Sequence, residues 1–230
     1  MLKLAPILIA LVYGFAMYRF SAWQTARRLD AESTELRDPM LGQLSNQMAA
    51  SLDLPHIRVH IYEIDQINGL AAPDGRIFIT RGFYKKFQDG EVSADELASV
   101  IAHELGHVAL GHSRRRMIDF SGQNALRTML SMVLGRYIPF VGVWIANMLT
   151  SMLAARLSRN DEYEADVYAA ALLTKSGIGT AGQISLFKKL DAMSGSMNGQ
   201  PPAWLLSHPK TAERIDALRK LENRWKASTK

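Results

Sequence analysis

The sequence predicts an α+β domain that is mainly helical, with a small β-sheet near its start and a membrane anchor helix before it. Alternating apolar residues predict short strands between residues 57 and 80, and the chain after Gly82 carries helical patterns almost throughout. The 230 residues, of which 48% are apolar and 21% charged, suffice for one compact domain. We therefore expect an anchor over residues 1–30 and a single domain over residues 31–230.

Composition excludes several classes of site. The chain has no cysteine, which rules out disulfides, thiolate zinc ligands and a cysteine nucleophile. The net charge of +5 suits anionic lipid better than nucleic acid, because the basic residues are scattered and are not interleaved with aromatic residues that could stack on bases. The three consecutive arginines at 114–116 are typical of a solvated helix end. We expect no nucleic-acid partner.

The first thirty residues carry the predicted anchor. Leu4 to Tyr18 is a run of 15 uncharged residues, which is short for a span of about 20 and also compatible with the apolar part of a signal peptide. The following residues offer no clear cleavage site, and Trp23 is typical of a membrane interface. We expect an uncleaved single-pass anchor that contacts lipid, in a bacterial inner membrane. The basic residues on its two flanks are too evenly balanced to assign the side of the domain.

The elements of the domain follow from periodicity and turn residues. Residues 22–38 predict a helical extension or linker. Strands are expected at 57–62, 66–71 and 75–80, with a turn at Pro73-Asp74-Gly75. Ser93 and Glu96 form a capping-box pattern that opens a long helix to about residue 117. Further helices are predicted at 39–52, 121–135, 140–157, 160–175, 180–194 and 210–227.

The long helix contains the motif His103-Glu104-Leu105-Gly106-His107. Helical residues four apart differ in direction by about 40°, so the two imidazoles can bind one metal ion. Glu104 lies beside them, where its carboxylate can act as general base on a metal-activated water. The motif predicts one Zn²⁺ per chain, with His103 and His107 as ligands.

A catalytic zinc ion usually has a third protein ligand. His112 lies about 900° beyond His103, on the opposite helix face, and is expected at the surface. Glu162 and Asp166 are four residues apart and share a helix face. We predict that Glu162 binds the metal and that Asp166 accepts a hydrogen bond from a ligating imidazole. Glu164 should point away from Glu162.

The remaining histidines are less informative. His56 and His60 lie on or near a predicted strand, where a structural role is expected. His208 lies in a loop just before the last predicted helix. The residues alone leave open whether His208 is a loop residue or reaches back over the site.

Three segments in this order, HELGHVALGH, SRNDEYEAD and SHPKTAERI, resemble the HtpX-like family of membrane-associated zinc metallopeptidases, which includes the CAAX-prenyl endoproteases and the BepA and Oma-type proteases. The resemblance runs from about residue 55 to 220. It implies a zincin-type domain that cleaves protein or peptide substrates in membrane or envelope quality control. It also implies that His208 stabilises the oxyanion or covers the metal, and it aligns Arg214 with the arginine of the same element.

Residues 68–75 resemble the edge strand of that family, which implies that substrate backbone binds there by β-augmentation. Gly69 and Asp74 depart from the usual residues of the family pattern. The substrate strand is therefore the part of the resemblance with the weaker match.

The run from Tyr137 to Ala155 contains 19 uncharged residues and is long enough to cross a bilayer. The histidine pair and Glu162 must meet on one side, so the chain between them crosses an even number of times or not at all. Residues 118–134 are too polar for a partner span. We predict a helical hairpin that is buried or dips into the membrane surface, with true spans as the alternative.

The leading hypothesis is a membrane-anchored zinc endopeptidase. The first alternative is a zinc-dependent chaperone or scaffold at the membrane whose peptidase site is latent, which would require His208 to fill the water position as a fourth ligand. The second is an unrelated membrane-tethered basic domain that binds lipid headgroups. The sequence does not determine the oligomeric state.

Overall fold

A computed structural model of the chain describes residues 5–72, 74–138, 141–196, 202–208 and 211–228. These residues form mainly helices and one small mixed sheet, which confirms the α+β class. The strands are β1 (Ser33–Glu35), β2 (Val59–Tyr62), β3 (Gly69–Ala71) and β4 (Ile77–Thr80). The helices are α1 (Ala5–Ala31), α2 (Pro39–Ser51), α3 (Arg81–Gln88), α4 (Ala94–Ala109), α5 (His112–Tyr137), α6 (Val141–Lys175), α7 (Ala181–Ser196), α8 (Ala203–Ser207) and α9 (Thr211–Ser228).

The sheet has the strand order β1-β2-β4-β3. The central strands β2 and β4 are parallel, and each edge strand pairs antiparallel with its neighbour. Strand β1 was not predicted, because residues 22–38 carry a polar helical pattern and a three-residue strand leaves almost no periodic signal. Of the predicted turn, Pro73 lies outside the described residues, and Gly75 takes the left-handed φ of 85°.

Helix α4 runs through the middle of the domain. It contacts α2, β3 and β4 as well as α6 and α7, and its residues from Glu96 to His107 are buried. The predicted capping box begins this helix: the Ser93 hydroxyl accepts a hydrogen bond from the Glu96 backbone N–H, and the Glu96 carboxylate accepts one from the Ser93 N–H. A helical stretch buried on all sides holds its side chains rigidly, which suits a metal site.

The break after α4 differs from the prediction. The helix ends at Ala109, and Gly111 takes a left-handed φ of 66° before α5 begins at His112. A single continuous helix to residue 117 was therefore wrong. Glycine reaches this backbone conformation without a steric penalty, so it redirects the chain in one residue.

Helices α5 and α6 pack against each other as the predicted hairpin. Gly142 allows their close approach, because a Cβ there would lie 2.4 Å from the carbonyl carbon of Leu134. The two helices predicted at 140–157 and 160–175 are one helix of 35 residues, α6. Residues 158–161 of α6 are polar, and in the sequence they look like the boundary between two helices. In the structure they lie inside α6, at the point where this helix enters the domain.

Helix α1 covers the outer face of the sheet with its last turns. Leu29 packs there against Tyr62, Ala72 and Phe78. Earlier in α1 the described apolar side chains are exposed: Val12, Phe15, Phe20 and Trp23. Among the described residues, length and hydropathy single out one helix that could cross a membrane, and it is α6 rather than α1. The predicted N-terminal anchor is thus not shown.

Candidate active site

The two motif histidines share one face of α4. Their Nε2 atoms lie 3.1 Å apart, and both side chains are buried. This is the geometry expected for residues four apart on a helix. Both Nε2 atoms point toward the same spot, which α6 approaches from the other side.

Glu162 completes a three-membered donor set. One of its carboxylate oxygens lies 3.4 Å from His103 Nε2 and the other 3.6 Å from His107 Nε2. Ligand atoms bound to a tetrahedral zinc ion at about 2.0–2.1 Å are separated by about 3.3 Å. The two distances end on different oxygens of Glu162, so the carboxylate faces the imidazole pair with both oxygens, and the three side chains surround a space that fits one zinc ion.

Gly106 allows α6 to come this close to α4. A Cβ at residue 106 would lie 3.0 Å from the carbonyl oxygen of Ala165 and 3.1 Å from its Cα. The glycine inside the motif is therefore a packing residue. It sets the distance between the histidine helix and the carboxylate helix.

Asp166 orients the first histidine. Its Oδ1 lies 3.0 Å from His103 Nδ1, so the imidazole donates through Nδ1 and presents Nε2 to the metal position. Burial raises the pKa of Asp166, but the neighbouring Arg214 guanidinium outweighs that effect and lowers it to about 2. The structure thus brings Asp166 to His103, as the sequence predicted, and places Glu162 beside the same imidazole.

The buried site carries an excess of negative charge. Burial lowers the pKa of His103, yet its hydrogen bonds with Asp166 and Glu162 dominate and raise it to about 9. The raised pKa has a geometric cause, since both carboxylates lie within 3.4 Å of this imidazole and attract positive charge to it. A divalent ion would supply that positive charge, which is a second indication that the donor set suits a metal.

His208 joins the donor set from the short segment after α8. Its ligand atom lies with those of the other three residues in a group whose members are all within 4.8 Å of one another. Its Nε2 is 3.6 Å from Glu104 Oε1 and 3.8 Å from Glu162 Oε2. The Trp204 ring stacks on it at 4.8 Å between centroids, and burial lowers the pKa of His208 to about 3. Pro209, the next residue of its motif, lies outside the described residues.

Glu104 is buried beside the donor set and close to the sheet edge. A Cβ on Gly69 in β3 would lie 3.5 Å from Glu104 Oε1. Within the described residues, β3 pairs with β4 alone and forms the sheet edge. The predicted base therefore lies between the metal donors and the strand that the family resemblance assigns to substrate.

His112 is not a surface residue, and that prediction was wrong. It is fully buried, and its Nδ1 lies 2.8 Å from His107 Nδ1. The 900° estimate assumed one continuous helix, whereas Gly111 turns the chain and brings His112 back toward α4. A glycine between the two histidines was the signal that an irregular backbone separates them. Glu164 does point away from the metal position, toward His112 and Arg115.

Fold and site together define a candidate metallohydrolase: a buried helix with two histidines, a carboxylate from a second helix and a glutamate beside them. The chain belongs to peptidase family M48, the zinc metallopeptidase family whose profile matches residues 35–222.

Curated relatives are proteases. Metalloprotease LoiP of Escherichia coli (strain K12) is 29% identical over 179 residues, which cover 78% of this chain and 68% of the relative. The beta-barrel assembly-enhancing protease of Yersinia pestis is 28% identical over 87% of this chain and 43% of its own length. The human mitochondrial metalloendopeptidase OMA1 is 26% identical over 71% of this chain and 32% of its own length. The chain thus matches less than half of the latter two proteins.

Proposed function

We propose that this protein is a membrane-associated zinc endopeptidase that hydrolyses protein or peptide substrates in membrane protein quality control. The observation that carries the proposal is the meeting of His103, His107 and Glu162 at separations that suit one bound metal ion. The metalloprotease names of the relatives support the same reaction class. Residues 31–230 would form the peptidase unit.

The proposed chemistry assigns each residue a step. A zinc ion held by His103, His107 and Glu162 would polarise the scissile carbonyl and lower the pKa of water. The Glu104 carboxylate takes a proton from the attacking water and then donates it to the leaving amine. Asp166 keeps His103 in the tautomer that presents Nε2. Strand β3 pairs with the substrate backbone and directs the scissile bond toward Glu104.

Glu104→Gln tests the assignment of the base. The amide has the same shape but cannot take up a proton, so the variant should bind one zinc ion per chain and lose cleavage of casein by roughly 10²–10⁴-fold. Asp95→Asn is the matched control, because Asp95 is an exposed carboxylate in the first turn of the same helix. Full activity in Glu104→Gln would end the assignment. Glu162→Ala should instead lose the metal.

We further propose that lipid contacts the protein at α1 and at the tip of the α5–α6 hairpin, in a bacterial inner membrane. Large apolar side chains at the tip are exposed on several faces of both helices: Met132, Tyr137, Val141, Trp144, Met148 and Met152. A protein partner covers one face, whereas acyl chains surround an inserted tip. This tip is the feature that supports a hairpin dipping into the membrane.

Single cysteines can test the tip, since the natural chain has none. Met152→Cys labelled with a polarity-sensitive fluorophore should shift to the blue when the protein is reconstituted into phospholipid vesicles. Met40→Cys is the control, because Met40 is 59% exposed on α2 and Met152 63% exposed on α6. Equal spectra at both positions would contradict lipid contact at the tip.

One observation favours the alternative of a latent site in a chaperone or scaffold. His208 Nδ1 lies 3.1 Å from the Trp204 carbonyl oxygen, which only accepts hydrogen bonds, so the proton resides on Nδ1. A neutral His208 then presents an Nε2 lone pair to the metal position, as a fourth ligand would. To stabilise an oxyanion, Nε2 would need a proton. His208→Ala should raise cleavage if His208 fills the water position and lower it if His208 supports the oxyanion.

A further inference from the structure

A cluster beside the metal position is not used by the mechanism above. His112, Asp161 and Glu164 bring a ring nitrogen and carboxylate oxygens together within 4.8 Å. Such a group could be a second cation site, but a cation is already present. Arg115 Nη1 lies 2.8 Å from Glu164 Oε2 and 3.4 Å from Asp161 Oδ1. The guanidinium lies against both carboxylates and its charge opposes a second cation there, which points to another role for the cluster.

The direction of the hydrogen bonds follows from the metal position. His107 presents Nε2 to His103 and Glu162, so its proton is on Nδ1. That Nδ1–H donates to His112 Nδ1 at 2.8 Å, which must therefore be unprotonated. His112 then carries its proton on Nε2 and donates it to Glu164 Oε2 at 3.2 Å. Each step fixes the next, and the chain of hydrogen bonds ends on a carboxylate that Arg115 holds.

We propose that His112 is a positioning residue for the metal ligand His107, in a relay that runs from His107 through His112 to Glu164 and Arg115. The inference rests on the proposed zinc site and extends it. His103 has the equivalent arrangement with Asp166 and Arg214, where Asp166 accepts its Nδ1–H directly. The two imidazoles are thus oriented by parallel relays, each of which ends on a carboxylate paired with an arginine. Glu162 and both relay carboxylates come from one stretch of α6.

Zinc affinity is the direct readout, because partners that orient a ligating histidine typically contribute 10–100-fold to metal binding. His112→Phe keeps a ring in the buried space but has no acceptor, and should weaken zinc binding by about 10–100-fold. His112→Asn retains an oxygen near the Nδ1 position and should recover most of that loss. Affinity is measured by chelator competition on the full chain. Thermal unfolding of the zinc-free proteins reports any loss of fold.

A second pair of variants avoids the buried position. Glu164 is exposed enough to replace safely, with 46% of its side chain accessible. Glu164→Gln keeps an acceptor for His112 Nε2–H, whereas Glu164→Ala removes it. The relay predicts weaker zinc binding in Glu164→Ala than in Glu164→Gln. This comparison remains decisive even if His112→Phe fails to fold.

Several outcomes would overturn the proposal. The relay is refuted if His112→Phe binds zinc as tightly as the wild type, or if His112→Phe and His112→Asn lose equal affinity. It is also refuted if the two Glu164 variants bind zinc equally well. Two zinc ions per chain, with one lost in Glu164→Ala, would make the cluster a metal site instead. These results leave the peptidase proposal intact. Conversely, a wild-type protein that binds zinc but cleaves nothing refutes the peptidase and not the relay.

Discussion

Arg214 and Asp166 form a buried ion pair with two parallel hydrogen bonds, from Nε to Oδ2 at 2.6 Å and from Nη2 to Oδ1 at 2.7 Å. Arg214 Nη1 also donates to the backbone carbonyl of His208 at 3.1 Å. The guanidinium lies over the rings of Phe187 and Trp204, at 4.4 and 4.9 Å from their centroids. This one side chain connects α9 to the carboxylate helix and to the His208 segment.

Replacing Arg214 with methionine should destabilise the fold strongly. The apolar chain fills similar volume but leaves the Asp166 charge buried without its partner, which typically costs about 3–5 kcal/mol. Urea unfolding of the zinc-free protein measures this. The double variant with Asp166→Asn should lose less than the sum of the two single variants, because the unpaired charge is gone. Strict additivity would contradict the coupling.

Two helical glycines should respond oppositely to alanine. Gly106→Ala puts a methyl group 3.0 Å from the Ala165 carbonyl oxygen, so α6 must shift and zinc affinity and stability should both fall, the latter by about 1–3 kcal/mol. Gly42→Ala in α2 meets nothing within 4 Å and should stabilise by about 0.5–1 kcal/mol through helix propensity. Denaturant titrations give both values. A stabilised Gly106→Ala variant would exclude close packing as the reason for that glycine.

Glu96 should make stability depend on pH in the acid range. Burial raises its pKa, but hydrogen bonds from Lys189, Ser185 and the Ser93 backbone outweigh burial and hold it below 4.5. A carboxylate with a depressed folded pKa stabilises the fold above its unfolded value, and this stability is lost as pH falls through the folded pKa. Glu96→Gln should therefore flatten the stability curve below about pH 4.5. An unchanged curve would refute this contribution.

Together with the proposed membrane contact, the shared site predicts that α4 and α6 meet the solvent on one side of the membrane. Ala109 at the end of α4 and Asn160 in α6 are exposed and flank the two halves of the donor set. Cysteines introduced singly at these positions should both react with a membrane-impermeant maleimide from the same side of sealed vesicles. Labelling from opposite sides would be incompatible with one metal ion bound by α4 and α6.

Local patterns predicted the parts of the site that lie within one helix. The spacing of His103 and His107, the capping box at Ser93, and the shared face of Glu162 and Asp166 depend on helical periodicity alone. The position of His112 depends on the left-handed backbone conformation of Gly111. Helical periodicity assumes a continuous helix at this residue and therefore places His112 on the wrong face. The position of His208 depends on packing against Trp204, which no local pattern encodes.

The continuity of α6 was also missed, for a physical reason. Residues 158–161 are polar because the helix there leaves the exposed hairpin and enters the charged neighbourhood of the site. When one helix passes from an apolar to a charged environment, its composition changes in the same way as it would at a boundary between two helices. The sequence alone does not distinguish these cases.

That continuity has a mechanical consequence. Helix α6 has no glycine or proline between Val143 and Lys175, so it lacks the residues at which helices usually kink. At 1.5 Å per residue, Glu162 lies about 30 Å along this rod from its exposed end. With the proposed lipid contact at the hairpin tip, a tilt of the tip would move Glu162 and its neighbours, so bilayer thickness and tension would act on the proposed catalytic site.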